Sequence, residues 1–170
     1  LYKARELPRL LKRLCALDGD FYIRVLYCYP DFLTEELLDT MASEPKILKY
    51  LDLPLQHCSG RILRAMHRWG DRGKLEALLS HVREKVPGVT LRTTLMVGFP
   101  GETEEDFEEL CEFAKCVRFD HMGCFAYSAE EGTEAAALPD QIDEDVKSHR
   151  VEVLMEQQMA LEQAAGEALV

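Results

Sequence analysis

Residues 92–107, RTTLMVGFPGETEEDF, combine a buried strand, a glycine-punctuated turn and a capped helix in direct succession. The strand is rich in β-branched and aliphatic residues, and Gly98 and Gly101 bracket a turn that contains a proline. Thr103 is a predicted N-cap with Asp106 as its reciprocal partner, and an acidic first turn favours a helix start. Strand-to-helix turns of this kind lie at the carboxyl ends of parallel strands, where ligands bind. The same turn also occurs as a purely structural element, and both roles stay open.

The same strand–helix unit is predicted four times along the chain. Runs of β-branched and apolar residues predict the strands, and apolar residues three and four apart predict the helices. The predicted strands are 22–28, 50–55, 91–97 and 121–127, and the predicted helices are 6–17, 34–42, 61–68, 72–86, 104–117 and 143–165. This alternation is typical of an α/β fold with parallel strands in sequence order and helices on the convex face. Because a complete eight-stranded barrel typically needs about 250 residues, we predict either an open parallel sheet or part of a TIM-like (β/α) barrel.

Composition narrows the class of protein. The 170 residues are 47% apolar, which suffices for a globular core. A formal net charge of −11 argues against a nucleic-acid or anionic-membrane surface in this portion. The sequence contains no signal-peptide pattern and no apolar run of about 18 residues, so we expect a cytoplasmic protein. The chain begins at Leu1, without an initiator methionine and within a helical pattern, which suggests a segment of a longer protein.

Six cysteines are present, but no two of them form a C-x-x-C pair. Neither a disulfide framework nor a zinc site is therefore expected, and the thiols should be reduced and mostly buried. Cys111 and Cys116 are expected to face the core from one helix. The five histidines show no metal-ligand spacing, so the sequence predicts no metal site of its own.

Polar residues gather after the second predicted strand, where a barrel opens its active face. Residues 56–59 are Gln-His-Cys-Ser, and Arg64 and Arg68 follow four residues apart, on one face of the next predicted helix. A guanidinium there could clamp a carboxylate or a phosphate. The alternative is structural: Ser59 caps the helix, His57 is a satisfied turn histidine, and the arginines are solvated.

Several separate motifs, taken together, resemble one family. They are YLDLPLQHCS at 50–59, Ile62-Leu63-x-x-Met66-x-Arg68, LRTT at 91–94 and VGFPGETEEDF at 97–107. In this order and spacing they are similar to the methylthiotransferase branch of the radical S-adenosylmethionine (radical SAM) enzymes.

Further motifs narrow the resemblance to the members that methylthiolate an aspartate of a small-subunit ribosomal protein. These motifs are QHCS at 56–59, RFD at 118–120, YSxEEGT at 127–133 and LPDQI at 138–142. The members that modify tRNA bases usually carry Gln-Ser-Gly-Ser instead of QHCS. Ala129 departs from both, because proline is usual after Tyr-Ser.

The resemblance implies a partial six-stranded (β/α) barrel, whose strands three to six would be the four predicted here. Residues 1–170 would then form the carboxyl-terminal portion of a radical SAM core. An amino-terminal cluster domain, the first two βα units and a TRAM domain would lie outside the chain.

The resemblance also implies cofactors, partners and a site. Family members cleave S-adenosylmethionine at a 4Fe-4S cluster, use the 5′-deoxyadenosyl radical to abstract hydrogen, and draw sulfur from a second 4Fe-4S cluster. The family's C-x-x-x-C-x-x-C cluster ligands are missing from this sequence, so the cluster ligands would lie outside it. The implied partners are a small-subunit ribosomal protein as substrate and a reductant such as flavodoxin or ferredoxin. The implied S-adenosylmethionine site comprises Gln56, Ser59, Arg68, Thr94, Val97, Phe125 and Tyr127. The first three are candidates for the ribose and methionine moieties, and the other four for the wall around adenine.

Three other functions stay open at this point. One is methylthiolation of a tRNA base. Another is a non-catalytic binding or scaffold protein that kept half of a barrel. The third is an unrelated βα enzyme that holds an anionic substrate near Ser59 and Arg68. If the parent protein is a methylthiotransferase, this piece alone is expected to be inactive.

Overall fold

The computed structural model describes residues 6–167, and Leu1 lies outside them. Within this range six α-helices and four strands alternate: α1 (Leu7–Cys15), β1 (Ile23–Val25), α2 (Glu35–Ser43), β2 (Ile47–Gln56), α3 (Gly60–Ala65), α4 (Arg72–Lys85), β3 (Thr90–Val97), α5 (Glu104–Val117), β4 (His121–Ala126) and α6 (Glu144–Glu167). Two short 3₁₀ turns cover Pro30–Phe32 and Ala135–Ala137.

The four strands form one parallel sheet in the order β1-β2-β3-β4, as the sequence predicts. β3 and β4 pair without a break from Arg92↔His121 to Val97↔Ala126. Because all strands are parallel, their carboxyl ends meet at one edge of the sheet. β1 and β4 are the edge strands of this sheet within the described residues.

One face of the sheet carries the core. Alternate strand residues such as Leu51, Leu53, Leu91 and Leu95 are fully buried against side chains from all six helices. The residues between them, on β2 and β3, point to the opposite face by the two-residue period of a strand.

Side chains cap the starts of three helices, α2, α4 and α5. The Thr34 hydroxyl accepts a hydrogen bond from Leu37 N, and Asp71 caps α4 in the same way at Lys74 N. At α5 the capping box is complete: Thr103 Oγ1 accepts from Asp106 N, and the Asp106 carboxylate accepts from Thr103 N at 2.9 Å. These bonds satisfy N–H groups that a helix start otherwise leaves unpaired.

Three element ends differ from the predictions by three residues each. β1 ends at Val25 rather than residue 28, since Tyr27 adopts a φ of 58°. β2 begins at Ile47, three residues early, because Ile47 pairs with Ile23. α3 ends at Ala65, and His67 turns the chain with a φ of 54°. The prediction that Arg64 and Arg68 share a helix face is therefore wrong.

Within residues 6–167 no helix is both long enough and apolar enough to cross a membrane.

Candidate functional site

A cavity of about 430 Å³ opens at the carboxyl ends of the strands. Gln56 is the last residue of β2, and its φ of 71° turns the chain away from the sheet into the loop before α3. Phe125 lies on β4, and Tyr127 is the first residue after that strand. The full lining is Gln56, Ala65, Met66, His67, Arg68, Met96, Phe99, Phe125, Tyr127, Glu134, Ala135 and Leu138. The volume falls in the range of small-molecule sites.

A second cavity of about 300 Å³ adjoins the first at the ends of β1 and β2. Its lining is Tyr27, Cys28, Tyr29, Pro54, Gln56, Arg68 and Thr94. Gln56 and Arg68 line both cavities. The two cavities therefore form one groove along the carboxyl edge of the sheet, which we call the edge groove.

Two buried polar atoms in this groove have no hydrogen-bond partner among the described residues: Gln56 Oε1 and the Tyr127 hydroxyl. Burial without a partner costs roughly 1–3 kcal/mol for such groups, so native proteins rarely leave them unpaired. Both atoms belong to residues that line the larger cavity. Unpaired polar atoms in an apolar cavity are what a ligand with its own donors and acceptors would satisfy.

Apolar side chains supply the walls of the larger cavity. Met96, Phe99 and Phe125 line it, and the Phe99 and Tyr127 rings meet edge to face with centroids 5.2 Å apart. Flat apolar walls of this type suit an aromatic ring such as adenine.

Arg68 lies beyond the end of α3 and is fixed by two contacts. Its Nη2 donates to the Pro54 carbonyl at 2.5 Å, and its guanidinium lies 4.8 Å from the centre of the Tyr29 ring. The side chain is half-buried between the two cavities. A guanidinium has five N–H donors, so these contacts leave others to bind an anionic group in the edge groove.

The other predicted site residues divide between groove and core. Thr94 lines the smaller cavity. Val97 lies in the core at 0% exposure, and it is Met96, its neighbour, that reaches the groove. The backbone of Val97 holds Tyr127, a lining residue, because Tyr127 N donates to Val97 O at 2.8 Å. Strand alternation from Thr94 would have selected Met96 instead of Val97.

Ser59 is buried away from both cavities. Its hydroxyl donates to Asp106 Oδ1 at 2.7 Å, so it joins the loop after β2 to the start of α5 instead of capping α3. Arg61 donates to the other carboxylate oxygen. Burial opposes ionisation of Asp106, but hydrogen bonds from Thr103 and Ser59, together with the charge of Arg61, outweigh it and lower the pKa of Asp106.

A buried charged cluster lies behind the groove and holds the loop at residues 98–102. Glu102 accepts from Gly98 N at 2.8 Å and from Arg150 Nη1 at 2.6 Å. Arg150 reaches this position from α6, and its Nη2 pairs with Glu104 at 2.9 Å. His57 Nδ1 accepts from Ser59 N at 2.9 Å, whereas its Nε2 lies 3.6 Å from Glu102. His57 is thus only half satisfied, in contrast to the structural alternative.

The described residues do not fit an iron–sulfur cluster. No group of three or more His, Cys, Asp or Glu side chains in residues 6–167 could hold a metal ion. Burial raises the pKa of the Cys28 and Cys111 thiols to about 11 and that of Cys124 to about 12, which disfavours the thiolate that a cluster needs. Cys116 is exposed, contrary to the expectation that it faces the core.

The profile described as "Radical SAM superfamily" matches residues 3–114. The chain belongs to the radical SAM superfamily. Enzymes of this superfamily use S-adenosylmethionine and a 4Fe-4S cluster. This membership confirms the family resemblance that the sequence motifs indicated. It also confirms the predicted α/β fold.

Curated relatives within this superfamily are similar to the chain over nearly its whole length. "Ribosomal protein uS12 methylthiotransferase RimO" of Thermodesulfovibrio yellowstonii is 47% identical over 168 residues, which are 99% of this chain and 40% of that protein. The protein of the same name from Geobacter sulfurreducens is 49% identical over 155 residues, covering 91% of this chain and 35% of that protein. The radical SAM chain thus spans about two fifths of these relatives.

Among solved structures, coproporphyrinogen III oxidase (HemN) of Escherichia coli, described as a radical SAM enzyme, superposes with a TM-score of 0.70. The match covers 92% of this chain and 38% of that one, at 22% identity. At this identity the likeness shows the fold alone.

Proposed function

We propose that this chain is the carboxyl-terminal portion of the radical SAM core of a methylthiotransferase that modifies an aspartate of ribosomal protein uS12. Its contribution is the wall that holds S-adenosylmethionine. The unpaired Gln56 Oε1 and Tyr127 hydroxyl, which line one cavity at the carboxyl edge of a parallel sheet, carry this proposal. Identity near 47% to proteins named for uS12 methylthiolation supports the reaction.

The residues of the edge groove match the parts of S-adenosylmethionine. Phe125, Met96 and Phe99 would enclose the adenine, and Tyr127 and Gln56 would hydrogen-bond its polar atoms or those of the ribose. Arg68 and Thr94, in the adjoining cavity, would hold the methionine moiety, whose carboxylate suits a fixed guanidinium. Ser59 and Val97 would support this site through Asp106 and the Tyr127 backbone. Bound S-adenosylmethionine would supply radical hydrogen abstraction and the methyl group of the product.

The remaining requirements fall to other parts of the protein. Cluster ligands, the sulfur source and the amino-terminal part of the barrel would lie outside these 170 residues. A flavodoxin- or ferredoxin-type reductant would supply electrons, and a ribosomal-protein substrate would place the enzyme in the cytoplasm.

The test uses the intact protein that contains this chain, with its clusters reconstituted anaerobically. S-adenosylmethionine affinity should fall roughly tenfold in Tyr127→Phe and in Gln56→Leu, because each removes one buried hydrogen-bond partner. Tyr22→Phe is the matched control, since Tyr22 is 69% exposed and lines neither cavity. Unchanged affinity in both groove variants would contradict the assigned site.

The acceptor is tested in the same preparation. A uS12 peptide should gain one methylthio group, detected by mass spectrometry, while tRNA should gain none. Methylthiolation of tRNA instead of the peptide would show that the enzyme modifies nucleobases.

A further inference from the structure

The face of the sheet opposite the helices carries charged residues where a barrel interior usually carries aliphatic ones. On β2 and β3, Asp52 and Arg92 stand opposite each other in register, between strand residues that belong to the helix-packed core. Arg92 Nη1 donates to Asp52 Oδ1 at 3.0 Å. Stability alone does not explain charged residues in this position, because burying an ion pair gives little net stability.

The pair is asymmetric in a way that leaves the cation available. The Asp52 side chain is 1% exposed, whereas that of Arg92 is 39% exposed. The second oxygen of Asp52 accepts from Tyr27 N at 3.3 Å, so the carboxylate is engaged on both sides. Within residues 6–167 the Asp52 bond is the one polar contact of the Arg92 side chain. Asp52 therefore holds the guanidinium in place, and the other N–H groups of Arg92 have no partner among the described residues.

A second guanidinium lies on the same face. Arg24, on the edge strand β1, stacks over the Tyr50 ring at 4.7 Å, and Tyr50 lies two residues before Asp52. The strand residues of this face thus carry two guanidinium charges against one carboxylate. This local excess of one positive charge contrasts with the net charge of −11 for the chain. It matches a ligand group with a single negative charge.

The position of Arg92 relates it to the edge groove. Thr94, two residues further along β3, lines the groove, and so does Met96, four residues along. Two residues of a parallel strand span about 6.6 Å, so Arg92 lies one layer inside the groove. A group bound by Arg92 would lie next to the cofactor that the groove is proposed to hold.

We propose that Arg92, fixed by Asp52 and supported by Arg24, binds the carboxylate of the acceptor side chain of a protein substrate. The inference rests on the proposed function and deepens it. An aspartate has one side-chain carbon that bears hydrogen, and that carbon is bonded directly to the carboxyl group. Holding the carboxylate therefore also positions the carbon that reacts. Arg92 is a specificity-determining residue, because a nucleobase, unlike an aspartate, carries no negative charge for the guanidinium to pair with.

The experiment measures peptide binding to the intact, reconstituted protein, with two fluorescent uS12 peptides that differ only in Asp or Asn at the acceptor position. The wild-type protein should bind the Asp peptide about 10- to 100-fold more tightly, as expected for a charge-assisted contact. Arg92→Met should bind both peptides equally and weakly, with S-adenosylmethionine affinity unchanged within twofold. Arg92→Lys should restore part of the preference, because the charge returns without the fork geometry.

Two further variants serve as controls for specificity and for folding. Arg72→Met is the matched control, since Arg72 also pairs with carboxylates, at 2.9 and 3.1 Å, but lies on α4. It should keep the full preference for Asp. If Arg92→Met does not fold because Asp52 is left unpaired, the double variant Arg92→Met/Asp52→Asn removes both charges and should show the same lost preference.

The outcomes separate the two proposals. If the wild-type protein methylthiolates the Asp peptide and either Arg92→Met or the double variant still prefers it over the Asn peptide, this inference is wrong and the proposed function stands. If the wild-type protein neither binds nor modifies the Asp peptide, both are wrong. An equal loss of S-adenosylmethionine and peptide affinity in Arg92→Met would also overturn the inference.

Discussion

Gly98→Ala should destabilise the intact protein by about 2–5 kcal/mol, through two separable causes. Gly98 has a φ of +73°, which costs a non-glycine residue about 1–2 kcal/mol. An added Cβ would lie 2.3 Å from Lys147 Cγ and 2.9 Å from its Cδ. Lys147 is 3% exposed, so its stem has little room to move, and overpacking of this kind costs about 1–3 kcal/mol.

Gly132→Ala separates the two causes. Gly132 has a φ of +84°, but a Cβ there would meet nothing within 4 Å. Its expected cost is therefore about 1–2 kcal/mol, from the backbone alone. Adding Lys147→Ala to each glycine variant completes a double-mutant cycle, because it removes Lys147 Cγ and Cδ, the atoms that lie closest to the new Cβ at position 98.

Urea unfolding curves of these variants measure the effect. The coupling energy between positions 98 and 147 should be about 1–3 kcal/mol, and the coupling energy between positions 132 and 147 should be about zero. Equal destabilisation by the two glycine substitutions, or no coupling between positions 98 and 147, would refute the argument that α6 packs rigidly against this loop.

Arg68→Ala should weaken S-adenosylmethionine binding roughly 10- to 100-fold in the intact protein, since charged hydrogen bonds contribute about 1.5–3 kcal/mol. It should also cost about 1–2 kcal/mol in urea unfolding, because the contacts to the Pro54 carbonyl and the Tyr29 ring are lost; unchanged cofactor affinity in a calorimetric titration would remove Arg68 from the site. The isolated 170-residue chain should bind no iron–sulfur cluster after anaerobic reconstitution, and stoichiometric iron and sulfide that depend on its cysteines would contradict this. Asp106 has a lowered pKa in the folded state, so the stability it contributes is fully present above its unfolded pKa of about 3.9 and is lost as pH falls through the folded pKa. Asp106→Asn should therefore flatten the acid side of a stability–pH curve, and an unchanged slope below pH of about 4 would count against the hydrogen bonds assigned to this carboxylate.

Sequence patterns predicted the order of the elements because each strand and helix carries its own local signal. α5 is the best example, since its bounds of 104 and 117 match the prediction. A capping box sets its start, and Arg118, in the left-handed region, sets its end. The capping-box signal at the start depends on neighbouring residues alone.

The ends of other elements depended on contacts that the local sequence does not contain. β1 keeps three residues because Cys28 N already bonds to the carbonyl of Asp52 on β2, and Tyr27 N meets its carboxylate. The start of β2 was predicted three residues too late, because the charged residues Lys46 and Lys49 interrupt the apolar pattern. The Lys49 ammonium donates to carbonyls at the end of α2, which lets a charged residue lie in a strand.

The groove was predicted only in part, for similar reasons. Five of the seven candidate residues line the two cavities, because the carboxyl ends of parallel strands must meet. The assignment of Val97 overlooked alternation along β3. Tyr29 carries no motif that marks it, and it reaches the groove only through the fold.

The rim of the groove depends on a helix far from it in sequence. Glu102 is buried with Arg150, 48 residues away, and an unpaired charge in that position would be costly. Glu102 in turn binds Gly98 N, and Lys147 of the same helix packs on Gly98 and lies over the Tyr127 ring at 5.5 Å. Tyr127 and the loop at 98–102 are thus held from one side by α6, which contributes no residue to the lining of either cavity. The buried charges serve to fix the position of an aromatic wall whose hydroxyl has no hydrogen-bond partner within residues 6–167, and the proposed S-adenosylmethionine would supply one.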